Sequence, residues 1–211
     1  MKKILLIGDS IRTGYDKYVK MAFENIAEVY YPNDNCRFTS YIIRYLHDWK
    51  LELDCGEDVD LIHWNVGLWD SLRMTDGELL IPIEIYKDNV ERICKMIQTY
   101  FPRAKMIFAT STPVQEGLFG VLKRYNKDVE AYNEAAVEVV KRYGGGINDL
   151  YTLLASAPKT YYSDMTHFFT KEGTQLITDQ VIACIERSIE MSAAKLDYDV
   201  LFADAKDVIG L

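Results

Sequence analysis

Short runs of apolar, β-favouring residues recur along the chain, separated by longer stretches of helical period. Lys3–Ile7 (KILLI), Glu28–Tyr31 (EVYY), Leu61–Val66 (LIHWNV) and Lys105–Thr110 (KMIFAT) read as strands. Gly146–Leu150 (GINDL), after the glycines at 144–146, is a weaker fifth. These runs are nearly continuous rather than alternating, as expected of strands covered on both faces. Helices are predicted over Thr13–Ile26, Thr39–Lys50, Pro82–Tyr100, Leu122–Tyr143 and Thr170–Met191. In the third of these, Ile85, Val90, Ile93, Met96 and Ile97 form an apolar stripe. Pro82 suits a first helical turn, and Gly144 suits a C-terminal stop. Strand and helix alternate throughout, which implies βαβ units and a parallel sheet with helices on both sides. Residues 1–191 are read as one domain. Residues 192–211 form an amphipathic tail expected to pack on that domain or on a second subunit.

Composition narrows the picture without changing it. A length of 211 residues suits one good-sized α/β domain. The net charge of −8, with no stripe of Lys or Arg, argues against a nucleic-acid partner. Cys36, Cys55, Cys94 and Cys184 form no C-x-x-C pair, so neither a zinc knuckle nor a disulfide framework is expected. Asp16, Asp34 and Glu116 lack the clustering a metal site needs. The opening MKKILLIGDS has too short an apolar run for a signal peptide. No stretch approaches the length of a membrane span, so no membrane partner is expected. The cytoplasm is the expected location, although a leader removed upstream is compatible with the sequence.

In an open doubly wound sheet, ligands bind beyond the carboxyl ends of the strands, where strand order reverses. For five strands in the order 2-1-3-4-5 that point lies between the first and third. Gly8-Asp9-Ser10 follows the first strand, and Asn65, Gly67 and Asp70 surround the end of the third. Ser10 would sit at a helix N-terminus, where free N–H groups and the helix dipole favour an oxyanion. A plain helix cap by Asp9 and Ser10 accounts for the same tripeptide. A serine nucleophile needs a base, and the chain has three histidines. His47 lies inside a helical stretch and His63 inside the third strand, where it reads as a core residue. His167 lies in the polar-aromatic loop YYSDMTHFFTKEG, three residues after Asp164. That spacing lets a carboxylate hold the imidazole tautomer, but a loop with a capping Asp looks the same.

Taken together, the Gly-Asp-Ser block after the first strand, the D-x-x-H block before the last helix and the Asn at the middle strand resemble the SGNH (GDSL-type) hydrolases. The likeness spans nearly the whole chain. It implies a three-layer, flavodoxin-like α/β/α fold and a triad of Ser10, Asp164 and His167. The family's second block offers a glycine N–H to the oxyanion hole, and Cys36 of NDNCRFTS stands in that glycine's place. A small buried Cys at a loop–helix junction explains it equally well. The third block is usually G-x-N-D. Here HWNVGLWD puts Trp69 in the Asn position, as in the branch reading H-x-N-x-G-L-x-D, and Asn65 becomes the side-chain donor. The alternative is that Asn65 braces a loop and backbone N–H groups alone do the work. Asp9, Trp64 and Trp69 are the residues expected to touch substrate.

The resemblance implies a serine esterase, free of metal and cofactor, that cleaves small acyl esters such as acetyl groups on carbohydrate. The rival expectation is a non-catalytic flavodoxin-like module binding a phosphorylated small ligand at the first helix N-terminus. His167 separates the two, because an anion-binding module has no need of D-x-x-H near Ser10. A homo-oligomer formed through the tail is a further expectation.

Overall fold

The computed structural model describes residues 1–203, arranged around one parallel sheet. Its strands are β1 (Lys2–Ile7), β2 (Ala27–Tyr30), β3 (Leu61–Trp64), β4 (Lys105–Ala109) and β5 (Gly146–Asn148). They lie in the order β2-β1-β3-β4-β5, all parallel. The helices are α1 (Ser10–Ala22), α2 (Thr39–Glu52), α3 (Ile83–Tyr100), α4 (Asn126–Arg142), α5 (Leu150–Ala155), α6 (Lys171–Ile189) and α7 (Tyr198–Leu201).

The pleat explains why the strands read as unbroken apolar runs. Ile4 and Leu6 of β1 enter the layer formed with α1 and α6, beside Ile11, Val19, Val181 and Ile185. Leu5 and Ile7 enter the opposite layer with α2, α3 and α4, beside Leu46, Ile93 and Ala136. Neither face of the sheet is wet, so both alternate sets are apolar. Each fully buried Leu or Ile contributes roughly 1.5–3 kcal/mol of transfer free energy.

Several boundaries differ from the sequence expectation, each for a local reason. α1 begins at Ser10 rather than Thr13, because the Asp9 side chain accepts from Ile11 N–H and caps it. α4 begins at Asn126 rather than Leu122, because Lys123 pairs with Arg73 through two backbone hydrogen bonds of 2.8 and 3.1 Å. β5 stops at Asn148, and Asp149 caps the unforeseen α5 by accepting from Thr152 N–H. α6 ends at Ile189, where Glu190 takes a left-handed conformation. Of the proposed tail, residues 192–203 lie against α1 and α6: Ala194 N–H donates to Ala22 O at 2.8 Å, and the Phe202 ring stacks on Tyr18. The rest of the tail, 204–211, lies outside the described residues. No helix among the described residues is long and apolar enough to cross a membrane.

Candidate active site

β1 ends beneath a turn whose geometry depends on Gly8. A Cβ there would lie 2.0 Å from Asn65 Oδ1, so only glycine admits the Asn side chain this close. The buried Asp9 follows, its Oδ1 accepting from Ile11 N–H (3.0 Å) and from Asn65 Nδ2 (2.8 Å). Burial raises the Asp9 pKa, and those two hydrogen bonds work against the rise. Ser10 is then the first residue of α1, with its N–H at the positive end of the helix.

The loop before α6 comes to meet it. Asp164 Oδ1 accepts from Thr166 N–H (2.7 Å) and His167 N–H (2.8 Å), which folds the segment back on itself. Asp164 Oδ2 lies 2.7 Å from His167 Nδ1, and His167 Nε2 lies 2.7 Å from Ser10 Oγ. Ser163 N–H donates to His167 O at 2.8 Å and closes the loop. Partial burial disfavours the Asp164 charge, but the hydrogen bonds from the His167 ring and from two backbone amides outweigh it and hold the pKa below the ordinary carboxylate range. The Phe169 ring stacks on the imidazole at 4.6 Å. A Cβ at Gly14 would meet Phe169 at 2.6 Å, so this glycine makes room for the stack. A hydroxyl, an imidazole and a carboxylate are thus joined in one hydrogen-bonded chain. The arrangement is suited to taking a proton from Ser10 Oγ.

The surrounding candidates fall elsewhere than expected. Cys36 N–H donates to Gly8 O at 3.0 Å, so it fastens the loop to the turn and is not offered to an oxyanion. Arg12 causes this placement: its guanidinium holds the carbonyls of Pro32 and Asp34 and pairs with Asp16, drawing the 32–36 loop over α1. The left-handed residue of the second block is the neighbouring Arg37. Asn65 is 2% exposed, and its amide is turned to Asp9, the bracing arrangement rather than a donor facing the Ser10 hydroxyl. Asp9 and Trp64 do not reach substrate. Asp9 is enclosed as a helix cap, and Trp64, 0% exposed, packs on Phe108 because its place in β3 points it into the α2–α4 layer. Trp69 is partly exposed in the loop after β3. Ser10 N–H has no acceptor among the described residues.

His63 is buried and takes no part in this chain of hydrogen bonds, as expected of a core residue. Its Nδ1 is 3.3 Å from Tyr15 Oη and its Nε2 is 3.1 Å from Asn148 Nδ2, and burial pushes its pKa down to about 3. Asp70 accepts from Thr39 N–H and Oγ1–H and caps α2 from a distance, a role no local pattern reveals. Arg124, beyond the carboxyl end of β4, is a residue that sequence reading did not single out. It precedes α4 and donates through Nε to Leu68 O; burial lowers its pKa, and the Asp9 and Asp164 charges act to raise it. The signal for it is its place in the segment beyond the carboxyl end of β4, the same sheet edge that carries Ser10 after β1 and Asn65 after β3. Among the described residues, no group of three His, Cys, Asp or Glu side chains is placed to hold a metal ion.

A parallel sheet in this order, covered by helices on both faces, is a fold shared with solved GDSL-type lipases and acylhydrolases. A lipase/acylhydrolase from Enterococcus faecalis matches it with a TM-score of 0.70 at 21% identity, covering 93% of this chain and 100% of that one. A member of the lipolytic G-D-S-L family from Veillonella parvula matches at 0.67 and 17% identity, covering 89% and 100%. An acetyl xylan esterase matches at 0.68 and 14% identity, covering 87% and 99%. Among curated proteins, the human isoamyl acetate-hydrolyzing esterase 1 homolog is 25% identical over 152 residues, 67% of this chain. The chain spans 61% of that relative's length. No protein-family model matches the chain.

Proposed function

We propose that the protein is a serine esterase acting on small acyl esters through Ser10, His167 and Asp164. The observation that carries this reading is the unbroken path from Ser10 Oγ to His167 Nε2 and from His167 Nδ1 to Asp164 Oδ2, 2.7 Å at each step. His167 takes the Ser10 proton as Oγ attacks the acyl carbonyl. The tetrahedral oxyanion meets Ser10 N–H and the positive end of α1. Collapse expels the alcohol, which receives its proton from His167 and leaves an acyl-serine. Water, deprotonated by the same imidazole, then releases the acid. Asp164 holds the His167 tautomer and balances its transient positive charge.

Acetylated carbohydrate is the substrate class to test first. What supports it is the similarity to an acetyl xylan esterase, which reaches the fold only. The test is treatment with a fluorophosphonate followed by mass spectrometry. One adduct, located on Ser10 and absent in Ser10→Ala, is the expected result. A phosphate-binding module would return no adduct.

A further inference from the structure

Four arginines pair with a carboxylate among the described residues, and four others that form no such pair, Arg37, Arg92, Arg103 and Arg187, are exposed. Arg12 pairs with Asp16 and two carbonyls, Arg44 with Asp48, and Arg73 holds both oxygens of Asp128 at 2.7 and 2.9 Å. Arg124 differs. Its Nε is anchored to Leu68 O in the loop after β3, and its guanidinium lies 5.7 Å from the Phe119 ring centroid. It forms no ion pair among the described residues, and its two terminal amino groups have no acceptor there and are not sealed from solvent. The residue is only partly exposed, and burial lowers its pKa while the Asp9 and Asp164 charges act to raise it. Residues 110–124 lie past the carboxyl end of β4, on the sheet edge that also carries Ser10 beyond β1, and the bond to Leu68 O sets the cation against the loop beyond β3. The segment leading to it is fixed: Gln115 N–H donates to Met165 O at 2.9 Å and Gln115 Nε2 to Asp164 O at 3.2 Å.

A partly desolvated guanidinium held by Nε alone presents its two terminal amino groups as a fork, which matches a planar carboxylate. One carboxylate, rather than a phosphate dianion, suits a place where two carboxylates already act. From this geometry we propose that Arg124 is a specificity residue that selects esters bearing a carboxylate close to the scissile acyl group. The inference rests on the esterase reading and names its substrate class. Ser10 attacks the acyl carbonyl as before, and Arg124 holds the carboxylate of the same molecule.

The experiment measures acetate release from 2-, 3- and 4-acetoxybenzoate against the matching acetoxybenzamides, which differ in charge and barely in shape. The wild type is expected to favour at least one carboxylate isomer by about tenfold or more in kcat/KM, as one charge-assisted hydrogen-bonded pair provides. Arg124→Gln should erase that preference, and Arg124→Lys should keep part of it. Thermal melts of both variants show that the fold is retained, and fluorophosphonate labelling of Ser10 shows that the nucleophile is intact. No preference in the wild type, or a preference that survives in Arg124→Gln, overturns the assignment. Equal losses on acids and amides overturn it as well, because they place Arg124 at the oxyanion or in the scaffold. If the wild type releases no acetate from any ester and Ser10 takes no label, the esterase reading itself falls and takes this assignment with it.

Discussion

The substitution Gly8→Ala probes the turn on which Ser10 depends. An added Cβ would stand 2.0 Å from Asn65 Oδ1, 2.9 Å from Asn65 Cγ and 2.8 Å from Arg12 Cβ. Ordinary contact needs well over 3 Å, so the Asn65 side chain or the turn must move by about 1 Å. The first option breaks the 2.8 Å bond from Asn65 Nδ2 to the buried Asp9 carboxylate. Leaving that acceptor short of a partner costs about 1–3 kcal/mol. Residual overpacking against Arg12, on the rigid first turn of α1, adds about 1–3 kcal/mol. The second option shifts Ser10 relative to His167, and a displacement of that size costs roughly a hundredfold in rate. Equilibrium denaturation should therefore show a loss of about 2–6 kcal/mol. Fluorophosphonate labelling of the folded fraction should slow by one to two orders of magnitude. Asn65→Ala removes two of the three clashing atoms, so the double variant should lose clearly less than the sum of the singles. Wild-type stability and labelling in Gly8→Ala, or strict additivity in the cycle, would refute the close approach of Gly8 and Asn65.

Asp164→Asn should lower kcat by roughly 10²–10⁴-fold, because an amide NH₂ facing Nδ1 forces the proton onto the Nε2 side needed to receive it. The loss should be smaller than in Ser10→Ala, since the Asp164 side chain is 44% exposed and water can partly replace it; an unchanged kcat on an acetyl ester rules the role out. Burial drives the Asp70 pKa up to about 7 against hydrogen bonds from Thr39, well above its unfolded value of about 3.9. Its stabilising contribution is therefore complete below about pH 4 and is lost as pH rises toward 7. Relative to Asp70→Asn, which stays neutral, the wild type should lose about 2 kcal/mol of unfolding free energy between pH 5 and 7; parallel stability curves for the two proteins would contradict this.

What could be read in advance divides by the range of the interaction. The strands were legible because both layers of the sheet demand apolar residues, so Leu5 and Ile7 carry the same mark as Ile4 and Leu6. Asp164 and His167 were legible because only two residues separate them and one carboxylate bonds both the ring and the backbone. Asp9 lies beside Ser10, yet its role was misread, since adjacency in sequence says nothing about which oxygen faces Asn65, 56 residues away. Trp64 was misread through the pleat: a strand covered on both faces shows no alternation, so nothing marked its ring as pointing into the α2–α4 layer and away from the cleft.

Cys36 and Arg124 illustrate the deeper limit. A backbone N–H carries no residue identity, so whether Cys36 offers its proton to an oxyanion or to Gly8 O depends on how the 32–36 loop is drawn down, and Arg12, 24 residues earlier, does the drawing. Arg124 is tied to the loop beyond β3 through one carbonyl 56 residues back in the chain, a contact available to any long donor and specified by no motif. Proton transfer demands short, repeated spacings, and those leave a signature in the chain. Recognition of a substrate asks only that a charge arrive from any element at the sheet's carboxyl edge. The chemistry of such a site is therefore readable well before its specificity. For Arg124, the missing partner in three dimensions gives the clue that its neighbours in the sequence do not.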